Sequence, residues 1–144
     1  IPFGLRSEML NYENGGNQYR GMVYAMTGRM NKSYVPMLKF WDEIGIDKTQ
    51  MIGYWDNKPV VTTSNKDILA TAYKGKDFVI IAVGSWASAE DNINITVNYK
   101  ALGLNPTSAT YVMPSIENFQ QGKTLKSLNN INIKPKEGCI IVIK

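Results

Sequence analysis

Near residue 48 the spacing of apolar residues changes from that of a helix to that of a strand, which limits the chain to a helical segment followed by a β domain. Before the switch, Tyr19, Met22, Val23, Met26 and Met30 follow the breaker "NGGN" at helical spacing, and Tyr34, Met37, Leu38, Trp41 and Ile44 repeat the pattern. Two helices are expected over these stretches. The second has Ser33 as its N-cap, Pro36 in the first turn where an N–H is not needed, and Gly45 as its stop, with apolar Ile46 just beyond.

Beyond the switch the period is two. In "NINITVNY" Ile93, Ile95, Val97 and Tyr99 fall on one face and Asn92, Asn94, Thr96 and Asn98 on the other, the pattern of a half-buried strand. Comparable runs are "KPVVTT", "ILATAYK", "DFVIIAVGSW", "SATYVMP", "NINIK" and "GCIIVIK", with "KGKD" and "PKEG" as tight turns. About seven to eight short strands with turn-rich connections predict a mainly β fold, an antiparallel β-sandwich carrying an N-terminal helical segment. The nearly continuous apolar runs "FVIIAV" and "CIIVI" belong at its centre, where both faces of a strand are buried. The expected division is a helical lead-in over 1–48 and a sandwich over 49–144.

At 144 residues with 44% hydrophobic content, the chain has enough apolar material for one main core. No apolar run approaches the roughly 20 residues that span a bilayer, so no membrane insertion is expected. Starting on Ile1, the sequence suits a processed protein or a piece of a longer one. Fourteen asparagines suit exposed turns and polar strand faces; two of them, Asn31 and Asn94, head sequons too short a motif to carry weight. The single Cys139 lies in an apolar run, which points to a buried, inert thiol. The absence of histidine removes the usual general base, the Ser-His and Cys-His pairs and the commonest zinc ligand. No spaced carboxylate loop suggests a metal, and "GGNQYRG" lacks the strand and the Lys-Ser/Thr ending of a phosphate loop, so no cofactor is expected. The net charge of +4 comes from basic residues scattered singly, which argues against nucleic acid as a partner.

The order of landmarks is "GGNQYRGMVYAMTGRM", "PMLKFWDEIGI", "MIGYWDNKPV", "ILATAYKGKDFVIIAVGSWA" and a closing "INIKPKEGCIIVIK". It resembles the C-terminal region of bacterial glycoside-hydrolase-like proteins, in which a (β/α) barrel is followed by an antiparallel β-sandwich. The resemblance implies that residues 1–48 correspond to the end of the barrel and 49–144 to the appended sandwich. It also implies a non-catalytic accessory domain that braces a catalytic barrel of the same parent chain in carbohydrate degradation, in a periplasmic or extracellular setting. The catalytic carboxylates of such enzymes sit at the C-terminal ends of barrel strands, most of which would lie outside this chain, so the resemblance carries no catalytic residue onto a matching position here. The alternative is a stand-alone carbohydrate-binding module using exposed Trp and Tyr.

Glycoside hydrolysis needs two carboxyl groups facing each other across the sugar bond. Asp42 and Glu43 are neighbours on one helix and point about 100° apart, as on a solvated face. Glu90 and Asp91 read as loop residues, and Glu8 has no identifiable partner. The stretch "MIGYWDNKPVVTT" admits two uses. Asp56 and Asn57 before Lys58 and Pro59 make a turn, with Tyr54 and Trp55 sealing a seam between helix and sandwich. Alternatively Tyr54, Trp55, Asp56 and Trp86 contact a glycan, an indole face taking the sugar ring and Asp56 accepting from its hydroxyls. A binding module should show two or more of Trp41, Trp55 and Trp86 coplanar on one surface, whereas a bracing domain should bury them. Met9, Met22, Met26 and Met30 suggest an apolar N-terminal surface matched to a barrel or to a second copy of the chain. Trp41 is expected to pack on the sandwich near Tyr54 or Trp55.

Overall fold

The computed structural model describes residues 5–6, 17–27 and 35–144. The expected roles of Glu8, Met9, Met30, Asn31, Ser33 and Tyr34 lie outside the described residues. Among the described residues the fold is mainly β, with ten strands in antiparallel sheets and β1 (Leu5–Arg6) beside β2 (Met26–Thr27) in a short parallel pair. One sheet has six strands, in the order β10 (Lys123–Leu125), β9 (Tyr111–Met113), β12 (Gly138–Ile143), β6 (Val79–Ser85), β5 (Ile68–Lys74) and β3 (Gln50–Ile52). Two ribbons form the facing layer: β4 (Val61–Thr63) with β8 (Ile95–Val97), and β7 (Asp91–Ile93) with β11 (Ile131–Ile133).

Alternation along the strands builds two cores, one on each side of the six-stranded sheet. Ile68, Ala70 and Ala72 of β5, Val79, Ile81 and Val83 of β6 and Ile141 and Ile143 of β12 pack with Val61, Ile93, Ile95, Val97, Ile131 and Ile133 of the ribbons. Tyr73, Ile80, Ala82, Ile140 and Val142 point the other way, under Met22, Ala25, Met37, Trp41 and Ile46. These last come from helix α1 (Gln18–Val23), the turn after it, helix α2 (Val35–Ile44) and a single 3-10 turn, Ile46–Lys48. The sandwich therefore has a third, helical layer. This explains the unbroken apolar runs of β6 and β12: they are central strands covered on both faces.

Helix α2 follows its sequence closely. Pro36 is its second residue, Gly45 ends it in the left-handed region at φ 73°, and Ile46 is buried beyond. Helix α1 is much shorter than the spacing from Tyr19 to Met30 predicts. It stops at Val23, Ala25 takes φ 56°, and Met26 enters β2. The reason lies in the sheet, because the Thr71 hydroxyl donates to Val23 O at 2.7 Å and the Tyr73 hydroxyl donates to Met22 O. Those side chains satisfy the carbonyls that further helical turns would have used.

The stretch "NINITVNY" also differs from expectation. Its alternation holds, with Ile93, Ile95 and Val97 buried and Asn92, Asn94, Thr96 and Asn98 exposed, but Asn94 separates β7 from β8 and each pairs with a different strand. Tyr99 starts the short helix α3 (Tyr99–Leu102), with the Asn98 side chain accepting from Ala101 N as its cap.

Glycines set the depth at which α1 rests on the sheet. Gly84 of β6 pairs with Gly138 of β12, and a Cβ on Gly84 would come within 2.9 Å of Tyr19 O. The backbone of α1 thus lies directly on β6, which brings Arg20 and Tyr24 to the end of that strand.

Candidate functional site

The loop after β3 makes the turn its residues suggest, with Asp56 N donating to Gly53 O at 3.1 Å. The side chains of the turn join residues from two other elements. Trp55 is 48% exposed, and its ring stacks on Tyr24 with centroids 5.6 Å and planes 9° apart. Gly53 leaves room for the indole, since a Cβ there would stand 2.4 Å from Trp55 Cε2. Tyr54 meets Tyr24 through their hydroxyls, 2.8 Å apart. Burial, and then this hydrogen bond to Tyr54, push the Tyr24 phenol up to about 12.

Trp86 follows β6 and is half-buried. Tyr24 stands edge-on to it, with centroids 6.0 Å and planes 86° apart. Arg20 covers part of the indole, its Cζ lying 5.0 Å from the ring centroid, while its Nε donates to Ser85 O at 2.8 Å. Since Tyr24 is nearly parallel to Trp55 and nearly perpendicular to Trp86, the two indoles cross almost at right angles. They form a corner, not a flat platform. Trp41 takes no part in it: the residue is 2% exposed, with Phe40 and Tyr73 against its ring. Its contact with the sandwich therefore runs through Tyr73, while Tyr54 and Trp55 gather around Tyr24.

Tyr54, Trp55 and Trp86 thus come together around Tyr24, with Asp56 exposed in the same turn. The other acidic residues considered are placed apart from any facing pair. Asp42 and Glu43 are both exposed, Glu43 lying 3.8 Å from Lys39 one helical turn away. Glu90 is exposed, and Asp91 opens β7, its carboxylate accepting from Asn65 Nδ2 at 2.8 Å. Two members of the cluster, Arg20 and Tyr24, escape a reading of the sequence. Tyr24 falls between the helical positions Val23 and Met26, and Arg20 counts only as one scattered charge. Only the early stop of α1 and its contact with β6 bring them beside Trp55 and Trp86. Among the described residues this corner brings together four aromatic rings, Tyr24, Tyr54, Trp55 and Trp86, with the Arg20 guanidinium and the exposed turn residue Asp56.

The family model described as "Glycoside hydrolase 123, C-terminal domain" matches residues 33–144. No curated protein and no solved structure matches the chain.

Proposed function

Because the chain belongs to the glycoside hydrolase 123 C-terminal domain family, we propose that it is a non-catalytic accessory domain that braces the catalytic barrel of its parent protein in carbohydrate degradation. The observation that carries this reading is the helical layer. Met37 and Trp41 of α2 are buried on the six-stranded sheet, while Val35 and Leu38, on the outer side of the same helix, are 57% and 39% exposed. A helix apolar on both sides suits a position between two partners. In this reading residues 1–48 are the lead-in from the barrel, and 49–144 are the domain on which it rests. The parent protein carrying Trp41→Ala should lose activity at a lower temperature than wild type while keeping its kcat under mild conditions. Equal heat inactivation would refute bracing through α2. Purified alone, the chain should not turn over a panel of aryl glycosides, and turnover abolished by changing one of its carboxylates would overturn the non-catalytic assignment.

The exposure of Trp55 favours a second role within the same domain, contact with a glycan through Tyr54, Trp55, Asp56 and Trp86. Tyr24 holds the indole in place before any ligand arrives, which lowers the ordering cost of binding. Glycan titration followed by tryptophan fluorescence should show a response that Trp55→Ala removes, and a response retained in that variant would exclude this surface.

A further inference from the structure

Arg20 is anchored at one end and open at the other. Its Nε donates to Ser85 O and its Cζ lies over the Trp86 ring, yet among the described residues its terminal nitrogens make no hydrogen bond or ion pair. A guanidinium presents a planar fork of N–H donors that matches a carboxylate or a sulfate, and a fork fixed in advance loses little freedom on binding. Tyr24 touches both indoles of the corner, its ring centroid 5.6 Å from that of Trp55 and 6.0 Å from that of Trp86. Among the described residues the carboxylate of the cluster is that of Asp56, next to Trp55 in the turn, where it suits hydroxyl groups; the cation lies at Trp86. The chain's net charge of +4 favours the approach of an anion.

We propose that Arg20 makes this corner selective for anionic glycans, sugar chains bearing carboxylate or sulfate groups, with the oxyanion held by the Arg20 fork beside Trp86 and a neighbouring sugar ring by Trp55. The proposal rests on the glycan-contact reading above. Dextran, dextran sulfate and polygalacturonate, titrated at about 0.15 M salt to screen diffuse attraction, test it through tryptophan fluorescence and affinity electrophoresis. The charged polymers should bind more tightly than dextran. Arg20→Gln should weaken them about tenfold or more, and Arg20→Lys, which keeps the charge and loses the fork, should recover only part of that. Lys126→Gln, a change of equal charge just past β10 at the opposite edge of the sheet, should have little effect. Near-ultraviolet circular dichroism reports whether each variant is folded; if Arg20→Gln is not, the comparison of Arg20→Lys with Lys126→Gln decides. Equal losses in Arg20→Gln and Lys126→Gln would mean diffuse charge attraction and overturn the proposal. Binding of a neutral glycan through Trp55 with no preference for charge would overturn it and leave the glycan-contact reading standing. If no glycan binds, both fall, and the corner is left to a protein partner such as the parent's own catalytic domain.

Discussion

Trp41 leans from α2 onto Tyr73 with ring centroids 5.8 Å apart, and burial of so large a side chain makes it a main fastening of the helical layer. Trp41→Ala should lower stability by about 3 to 5 kcal/mol, measured by chemical denaturation; an unchanged midpoint would mean that α2 is not docked. That Trp41 packs on the sandwich is legible from its place on the apolar stripe of α2. Its partner is not, because Tyr73, Tyr54 and Trp55 are all aromatic and only the strand register decides which faces the helix. Gly138 is a second sensitive point. A Cβ there would lie 1.8 Å from Val83 O, a backbone atom of the central strand that cannot swing aside. Gly138→Ala should therefore exceed the roughly 1 to 3 kcal/mol usual for an overpacked core, whereas Gly84→Ala, which meets Tyr19 O at 2.9 Å, should be milder because α1 can lift slightly. Thermal melts of the two variants would rank them, and the reverse order would refute the argument.

Among the elements, those written in a long or regular pattern are readable from the amino-acid sequence alone. Strands β5, β6 and β12 come from extended apolar runs, and α2 from a stripe closed by glycine. Strands β3 and β10 are not legible, because "QMI" and "KTL" are three-residue edge strands whose mixed side chains carry no period. The early end of α1 is hidden for another reason: the hydroxyls that terminate it belong to Thr71 and Tyr73, far along the chain. The candidate site inherits that blindness, since half of its surroundings depend on where α1 stops. The helical layer itself supports a prediction. A shortened chain of residues 49–144 would uncover Tyr73, Ile80, Ala82, Ile140 and Val142 on one sheet face, and should bind a hydrophobic dye and self-associate more than the 144-residue chain. Sedimentation velocity and dye fluorescence would check this; a monomeric fragment silent to the dye would show that the face needs no cover.

For the molecule as a whole, alkaline pH is the natural stress. Tyr24 and Tyr99 are each pushed up to about 12, by burial and by hydroxyl pairing with Tyr54 and Tyr111, and burial raises the Cys139 thiol to about 12 as well. Tyr19 and Tyr73 are raised in the same direction, chiefly by burial. All these groups are held neutral more strongly in the fold than in the open chain. Their contribution is complete below the unfolded values of about 8.5 for a thiol and about 10 for a phenol and is lost as pH climbs toward their folded values. Denaturation midpoints should be flat near neutrality with respect to these groups and fall between about pH 9 and 12. A midpoint that stays level over that range would contradict the burial argument. The order of the six-stranded sheet carries one more consequence, in time. Strands β5 and β6 are joined by a tight turn and form a local hairpin, whereas β12, which lies between β6 and β9, is separated from β6 by most of the C-terminal half of the chain. Hairpins close in microseconds, but threading a distant strand into the middle of a sheet is slow. Until β12 arrives, β6 presents an open apolar edge, so the interval before that insertion is when a nascent or refolding chain is most exposed to pairing with its neighbours.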